Sequence, residues 1–498
     1  LHADIAGVWR GIDQRDPDQP TQKMCLRSDA VKAARGLGAD ISAICGSKKS
    51  GHCPYHPDGV SHITCGYQQQ NLRNKSVVIM AGTQALQRAL LMRCKKAVSW
   101  QPAELPSQVW TQLELLEEGT SAQTHSEPFS DRDFDLVIID ETDPSAWIEG
   151  AEGREAPLLT ATRSNFANLP ASPEKTMVLN FIDQLGQLIA DCDLLFPDSG
   201  FLADVGFPDF LRKVLNAIWE LMPDVPESAE LRQLDAPEIR LAYAVQRELR
   251  ASCLHLAHIL KALERAIQGQ WSHCRHVEFH RESSGRVRVS VQSRKDIHPK
   301  LADVPKLLFD ATAQTELLTG VFPNLRQVCD LRARDGEGVR RYQLRDSAVS
   351  MTALRENPTW PARALLLSSV LERSCGRTGL ISTKALMAKI ETGIGPEDQL
   401  ETGHLGAIKG VNRFEDCAAL IICACFAITP SAAERSAAVL LDQDTVSTEE
   451  KFFPKAKSYI AGRKPGTGWL VETATHEDPA VNAARASVTE DQLEQARG

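Results

Sequence analysis

The clearest strand pattern in the chain lies at residues 134–141, Phe134-Asp135-Leu136-Val137-Ile138-Ile139-Asp140-Glu141. Its apolar, β-branched run is continuous rather than alternating, which predicts a strand buried on both faces, as in a parallel sheet. Two carboxylates, those of Asp140 and Glu141, follow this run directly. Ligands of open α/β sheets bind beyond the carboxyl ends of the strands, so the pair stands where chemistry is expected.

This carboxylate pair suits a nucleotide-hydrolysing site. In such a site the first acid holds Mg²⁺, directly or through water, and the second orients the attacking water. A simpler alternative is that Asp140 and Glu141 only cap the next segment by accepting hydrogen bonds from its first amides. The strand in front and Thr142-Asp143 behind favour the catalytic interpretation.

Other apolar runs predict more elements around this strand. A short strand is predicted at 77–81, a largely helical region at 173–270, and a hairpin at 277–291 with its turn at Ser283-Ser284-Gly285. Later strands, which alternate with helices such as 383–392, are predicted at 307–310, 364–367, 379–382 and 419–423. Strands that alternate with helices indicate a parallel α/β fold.

The composition excludes several classes of protein. The chain has 498 residues, of which 24% are charged, so collagen-like and low-complexity structures are excluded and several domains are expected. No apolar run reaches the roughly 18 residues that span a bilayer, so no membrane association is predicted. A net charge of −9 argues against a histone-like coating protein, although a basic groove on an acidic body can still bind nucleic acid.

Cysteines concentrate near the start of the chain. Their total of 13 is odd and no secretory signal precedes them, which predicts a reducing cytoplasm rather than a disulfide framework. Four of them, Cys25, Cys45, Cys53 and Cys65, contain no C-x-x-C pair, so an ordinary zinc ribbon is not predicted. Four thiolates can hold a [4Fe–4S] cluster. Zinc, with His52, His56 or His62 as further ligands, and purely structural thiols are the alternatives.

Four short motifs occur in an order that resembles superfamily 2 helicases. Asp140-Glu141-Thr142-Asp143 resembles the D-E-A-H box, and Asp310-Ala311-Thr312-Ala313 resembles motif III. His404-Leu405-Gly406-Ala407-Ile408-Lys409-Gly410-Val411-Asn412 resembles motif V, and Gln495-Ala496-Arg497-Gly498 resembles the opening of motif VI. In helicases similar to XPD and DinG, four cysteines precede the box and an arch domain separates it from motif III. This chain has both features in the same places.

The resemblance implies an α/β protein with two RecA-like parallel-sheet lobes, a cysteine-rich metal-cluster insert and a mainly helical arch-like insert. Lobe 1 would comprise residues 1–150, with the cluster insert at 25–65, and would resume at 300–345. The arch-like insert would cover 151–299, and lobe 2 would cover 346–498. The implied activity is ATP-dependent unwinding of single-stranded or forked DNA, with ATP, Mg²⁺ and a [4Fe–4S] cluster as cofactors.

The resemblance also implies roles for individual residues. Those implied in catalysis are Asp140, Glu141, Asp310, Thr312 and Gln495. Those implied in binding ATP or its metal are Asp140, Gly406, Gly410, Asn412, Gln495 and Gly498. The implied cluster ligands are Cys25, Cys45, Cys53 and Cys65.

Three departures from the family pattern open alternatives. No G-x-x-x-x-G-K-[ST] loop occurs in the sequence, so the amides and lysine that cradle phosphates are missing from it. Residues 81–84 are Ala-Gly-Thr-Gln where relatives often have Asn-His, and Asn412 replaces a common Asp. We expect the loop upstream of Leu1, in a longer chain. The main alternative is a metal-stabilised nucleic-acid-binding scaffold that does not hydrolyse ATP, and a nuclease that uses Asp140 and Glu141 ranks below it.

Nucleic-acid contacts are predicted mainly near the cysteines. Basic side chains there suit phosphates and aromatic rings suit base stacking, although a solvated basic face and ordinary packing are equally compatible. The residues concerned are Trp9, Arg10, Lys48, Lys49, Tyr55, Tyr67, Arg73 and Lys75.

Overall fold

The protein forms two compact units in a computed structural model. Unit 1 comprises Leu1–Thr142 and Ala146–Asp310, and unit 2 comprises Asp143–Ser145 and Ala311–Gly498. The residues that the structure describes are 6–9, 16, 19, 21–39, 41–47, 51–55, 65, 77–80, 136–140, 144–151, 155–191, 195–297, 302–309, 313–329, 359–391, 400–405, 414–423, 428–445, 452–461 and 468–497.

The described residues form both strands and helices. The strands are β1 (Ala6–Trp9), β2 (Gly46–Ser47), β3 (Gly51–His52), β4 (Val77–Met80), β5 (Val137–Asp140), β6 (Ile148–Ala151), β7 (Val277–Arg281), β8 (Val287–Arg294), β9 (Lys306–Phe309), β10 (Thr378–Ser382), β11 (Leu400–His404), β12 (Ala419–Ile422), β13 (Lys455–Ala461) and β14 (Gly468–Ala474). The helices are α1 (Ser28–Gly36), α2 (Ile41–Cys45), α3 (Leu159–Ala167), α4 (Pro173–Asp191), α5 (Ser199–Val205), α6 (Pro208–Leu221), α7 (Ser228–Gln233), α8 (Ala236–Ala242), α9 (Ala244–Gln268), α10 (Thr315–Leu318), α11 (Trp360–Cys375), α12 (Lys384–Glu391), α13 (Pro430–Leu441) and α14 (Pro479–Arg497). The protein is therefore mixed α/β, as the sequence predicts.

Unit 1 contains two parallel strand pairs. β1 pairs with β4, and β5 pairs with β9 in a register that sets Val137 opposite Lys306 and Asp140 opposite Phe309. Ile139 of β5 is buried. The strands predicted at 77–81, 134–141 and 307–310 are thus confirmed over their described residues.

A helical bundle stands between β5 and β9 in the chain, and we call the described residues of 146–297 the insert. Its helices bury one face because their apolar residues recur every three or four positions. In α4 the buried residues are Val178, Phe181, Ile182, Leu185 and Ile189. The long helix α9 packs on α6 and on an antiparallel sheet of order β6-β8-β7. The predicted hairpin is β7 and β8, and the predicted helical region is α4 to α9.

The four N-terminal cysteines lie in a small module, which we define as the described residues of 21–65. Helices α1 and α2 pack against each other, and the two-residue strands β2 and β3 form an antiparallel hairpin. Val31, Leu37 and Ile44 are buried in its core. We call this part of unit 1 the cysteine module.

Unit 2 is built on a parallel sheet of order β11-β10-β12. Every residue of the central strand β10 is buried, as expected for a strand covered on both faces. Helices α11 and α12 pack against β10, and α13 packs against α14. β13 and β14 form a separate antiparallel pair. The strands predicted at 379–382 and 419–423 are confirmed as β10 and β12.

The prediction of a strand at 364–367 is wrong, because these residues lie inside α11. Pro361 stands in the first turn of this helix, where a missing amide hydrogen does no harm. Ala364 and Ser368, four residues apart, are buried, whereas Leu366 and Leu367 are exposed. The burial follows helical spacing, so a run of four apolar residues does not require a strand here.

The described part of 300–345, the segment expected to return to lobe 1, is divided between the two units. β9 belongs to unit 1, but α10 and the turn that follows pack on α13 and α14 in unit 2. Leu318 and Phe322 are buried there. Gly320 lies so close to the Leu440 carbonyl that a Cβ atom would overlap it. Apolar burial and this close approach assign 313–329 to unit 2.

Candidate functional site

The cysteine module brings together four cysteines that are far apart in sequence. Cys25 lies just before α1, Cys45 is the last residue of α2, Cys53 follows β3, and Cys65 lies beyond. All four are buried, with relative exposures of 3%, 6%, 7% and 4%. None of the four forms a disulfide.

The small hairpin holds Cys45 beside Cys53. Gly46 pairs with His52, and Ser47 pairs with Gly51. The Cys53 amide donates a hydrogen bond of 2.9 Å to the Cys45 carbonyl, directly beyond the last pair of the hairpin. Two cysteines eight positions apart therefore flank the base of one turn.

Cys65 is fixed against Cys25 by hydrogen bonds from its backbone and its side chain. Its amide donates to the Tyr55 carbonyl at 2.7 Å, and its thiol donates to the Met24 carbonyl at 3.2 Å. Met24 directly precedes Cys25, so the two thiols meet and share a hydrogen bond. These hydrogen bonds hold Cys65 beside Cys25.

The surroundings of Cys25 favour its protonated thiol in the absence of a metal. The hydrogen bond with Cys65 raises the pKa of the Cys25 thiol, and burial adds to the increase. The charges that Cys65 and Cys45 would carry as thiolates act in the same direction. Gathering several thiolates in one buried place therefore requires a positive charge among them, and a metal ion or cluster supplies that charge.

Four cysteine thiols are the donor type of an iron–sulfur cluster, but the structure does not arrange these four as a metal site. Four buried cysteine sulfurs are the ligands of a [4Fe–4S] cluster. Among the described residues, however, no group of three or more His, Cys, Asp or Glu side chains has an arrangement that could hold a metal ion. Binding would replace the hydrogen bond between Cys25 and Cys65 with metal–sulfur bonds. His56 and His62, the alternative zinc ligands, lie outside the described residues, as does the side chain of His52.

The carboxylate pair lies at the expected edge of a parallel sheet. Asp140 is the last residue of β5, opposite Phe309, which ends β9. The D-E-T-D motif begins with the last residue of β5, and the D-A-T-A motif follows β9 in the sequence. Glu141, Asp310 and Thr312 themselves lie outside the described residues, and the described part of Asp140 is its backbone.

In unit 2 the motif V segment leaves the carboxyl edge of the sheet. β11 ends at His404, and the amide of Leu405 donates to the carbonyl of Ser382 at the end of β10, at 2.8 Å. The Ser382 hydroxyl in turn donates to the Cys423 carbonyl at 2.5 Å, just past β12. The three strand ends are thereby tied together. Gly406, Gly410 and Asn412 follow and are not described.

The motif VI residues stand at the end of a long helix. Gln495 lies in the last turn of α14, and Gly498 is outside the described residues. Of the residues considered for nucleic-acid contacts, Tyr55 packs partly buried on the module core, and Trp9 ends β1. Arg10, Lys48, Lys49, Tyr67, Arg73 and Lys75 lie outside the described part of the chain.

The sequence did not predict two contacts that the structure shows. Arg27 of the cysteine module donates hydrogen bonds to backbone carbonyls of the insert, 205 and 207 positions away. Glu434 and His476 form a fully buried pair between α13 and the start of α14. No local pattern marks either contact, because both join residues that are remote in sequence.

Comparison with protein-family models and with curated proteins identified no relative. No protein-family model matches the chain, and no curated protein matches it. Within the described residues, no helix combines the length and the apolar character that crossing a bilayer requires.

Proposed function

We propose that the chain is an ATP-dependent DNA helicase of the XPD/DinG-like, superfamily 2 type. The observation that carries the proposal is the β5–β9 pair, in which the D-E-T-D and D-A-T-A motifs follow the carboxyl ends of adjacent parallel strands. The two strands are about 165 residues apart in sequence, so chain connectivity alone does not require them to pair. Units 1 and 2 would correspond to the two RecA-like lobes with their inserts.

In this proposal the carboxylates position the reactants for phosphoryl transfer. Asp140 would hold Mg²⁺, which when bound neutralises charge that develops on the ATP phosphates. Glu141 would orient the attacking water in line with the leaving group, and Thr312 would link hydrolysis to movement of β9. Gly406, Gly410, Asn412, Gln495 and Gly498 would be further contacts to the nucleotide.

The first test of this mechanism is Glu141→Gln. The amide keeps the size of the side chain and the neighbouring Asp140, but it cannot take a proton from water. In the full-length protein, we expect DNA-stimulated ATP turnover to fall by about 10²-fold or more, while ATP affinity stays near the wild-type value. Turnover and nucleotide binding are measured separately, with Glu155→Gln, an exposed carboxylate of the insert, as the matched control. Wild-type turnover in Glu141→Gln would exclude the assigned role.

We further propose that Cys25, Cys45, Cys53 and Cys65 hold a [4Fe–4S] cluster, with zinc as the alternative metal. When bound, the metal centre would crosslink four separate segments of the module. We expect iron and sulfide in the purified protein and visible absorbance, both lost in Cys45→Ser and Cys53→Ser. Cys253→Ser, which changes an equally buried thiol in α9, should keep both. A colourless protein with stoichiometric zinc would exclude the cluster and leave the helicase proposal standing.

The alternative function is a nucleic-acid-binding scaffold that keeps the fold without ATP hydrolysis. The absence of a G-x-x-x-x-G-K-[ST] loop from the 498 residues favours it. Both functions predict binding of single-stranded or forked DNA, so DNA affinity does not separate them. ATP binding and its stimulation by DNA do, because a scaffold should show neither.

A further inference from the structure

Helix α11 of unit 2 exposes a continuous apolar patch. Its inner face packs on β10 and β12, and Ala364 and Ser368 are buried there. On its outer face Leu366, Val370 and Leu367 are 67%, 52% and 38% exposed. Val370 is four residues from Leu366 and three from Leu367, so the three side chains adjoin on the helix surface.

This patch is not explained by the folding of unit 2. A helix that covers a sheet needs apolar residues only on its inner side and is commonly polar on its outer side. Single exposed leucines are ordinary on protein surfaces, whereas contiguous exposed apolar side chains mark interaction sites. The outer face of α11 therefore has the character of a surface that another molecule covers.

An arginine stands at each end of the patch. Arg363 precedes it and Arg373 follows it, and both are exposed. Ten positions separate them, which is about 15 Å along the helix axis. Among the described residues, neither guanidinium has an acidic partner. Glu372, the one acidic residue of α11, is half-buried.

We call Arg363, Leu366, Leu367, Val370 and Arg373 the outer stripe of α11. Its two arginines make it cationic, although the whole chain has a net charge of −9. Because its side chains recur every three or four positions, they form ridges and grooves of the kind that a second helix fits. Its charge and its spacing therefore both restrict what can bind to it.

The charges favour a different protein over a second copy of this chain. Two copies that met through their outer stripes about a two-fold axis would set arginines against arginines, and opposed like charges are unfavourable. A membrane is also a poor match, since interfacial helices bury a broad apolar face and that of α11 already packs on the sheet. A helix that carries carboxylates at both ends of an apolar row matches the stripe in charge and in spacing.

We propose that the outer stripe of α11 docks an amphipathic helix of another protein, whose apolar row covers Leu366, Leu367 and Val370 and whose acidic ends pair with Arg363 and Arg373. The apolar row supplies most of the affinity, and the two arginines select the partner and fix its register. The stripe contains none of the motifs assigned to ATP or DNA, so the proposal does not depend on the proposed function.

A designed peptide tests the docking on the 498-residue chain. The peptide is one amphipathic helix with leucines at positions i, i+3, i+4 and i+7 and two glutamates at each end of this row. A control peptide has lysines in place of the glutamates. Binding is measured by fluorescence anisotropy. We expect the glutamate peptide to bind at least about tenfold more tightly than the lysine peptide, by a margin that shrinks as salt is added.

Variants of the stripe separate its apolar and charged parts. Leu366→Ser and Val370→Ser should each weaken binding of the glutamate peptide at least about tenfold. The double variant Arg363→Glu and Arg373→Glu should reverse the preference, so that the lysine peptide binds more tightly. Leu470→Ser, which changes a 63% exposed leucine of β14 in the same unit, is the matched control and should bind like the wild type. Because all these side chains are exposed, urea denaturation should give nearly wild-type stability.

Several results would overturn the proposal. One is a wild type that binds neither peptide or binds both equally, and another is a double variant that keeps the wild-type preference. A dimer in sedimentation velocity that Leu366→Ser dissociates would assign the stripe to a second copy. Binding to anionic phospholipid vesicles that is lost in Leu366→Ser would assign it to a membrane. A large loss of stability in Leu366→Ser would mean that the chain itself covers the stripe.

Discussion

Among single residues, Gly38 has two independent reasons to be glycine. It follows α1 with φ +83°, and the amides of Gly38 and Ala39 donate to the carbonyls of Arg35 and Ala34 at 2.9 and 3.1 Å, which ends the helix in a Schellman motif. A Cβ atom at this position would also overlap the Arg250 guanidinium of α9. The backbone conformation therefore disfavours a side chain, and the Arg250 guanidinium would have to shift to admit one.

Gly38→Ala should destabilise unit 1 more than the backbone cost alone predicts. Gly285 has nearly the same φ, +79°, and nothing within 4 Å of its would-be Cβ, so Gly285→Ala measures the backbone cost, about 1–2 kcal/mol. We expect a larger loss in the free energy of unfolding for Gly38→Ala, measured by urea denaturation. Equal losses would mean that Arg250 moves aside at no cost.

His255 makes the stability of the insert depend on pH. Burial on α9 lowers the pKa of this imidazole to about 4, and a hydrogen bond with the Val289 backbone offsets part of the decrease. In the unfolded chain the group takes up a proton near pH 6.5, while the folded state excludes it down to about pH 4. The stability that the insert gains by keeping His255 neutral is therefore fully present above pH 6.5. It is lost as the pH falls towards 4.

We expect the free energy of unfolding to fall by up to about 1.4 kcal/mol per pH unit from this one group across that window. His255→Gln should flatten the pH profile, measured by urea denaturation at a series of pH values. Gln268→Ala, which changes an exposed side chain of α9 that does not titrate, should keep the wild-type slope. The assigned cause would be wrong if both variants kept it.

Among helices, α13 and α14 are joined by the pair of Glu434 and His476. His476 Nδ1 accepts a hydrogen bond from the Asp478 amide at 3.0 Å, so Nε2 carries the proton and donates to Glu434 Oε1 at 3.2 Å. Asp478 in turn accepts from the Ala480 amide at 2.9 Å in the first turn of α14. A chain of buried hydrogen bonds thus sets where α14 begins.

Removing the acceptor of this pair should weaken unit 2. Glu434→Ala leaves the Nε2–H of His476 buried without its Glu434 acceptor, so we expect a loss of about 1–3 kcal/mol in the free energy of unfolding. Glu434→Gln keeps an oxygen acceptor at the same place and should lose less. Thermal and urea denaturation of the two variants test this order, and a larger loss in Glu434→Gln would contradict it.

The elements that sequence predicted well are those whose pattern is local. The continuous apolar residues of β5 and β10 and the Ser-Ser-Gly turn between β7 and β8 are recognisable without any tertiary contact. The run at 364–367 misled because four apolar residues suit a buried strand or a helix equally well. Its helical identity is visible only from the spacing of Ala364 and Ser368, which face the core of the sheet.

At the scale of the whole chain, the sequence did not predict which residues that are far apart in sequence come into contact. The cysteines were recognisable as a group because they are the same residue type within a short span. Arg27 was not, since its partners are backbone carbonyls about 200 residues away, and carbonyls carry no sequence signal. For the same reason the assignment of 313–329 to unit 2 follows only from the packing of Leu318 and Phe322.

The pairing of β5 with β9 has a consequence for biosynthesis. About 165 residues separate the two strands, so a ribosome that adds about 5–20 residues per second needs about 10 to 30 s between them. During this interval the nascent β5 has no β9 to pair with, whereas the helices of the insert are completed one after another. Synthesis from the N-terminus therefore makes the strand edge that carries Asp140 the last part of unit 1 to assemble, after the bundle that interrupts it.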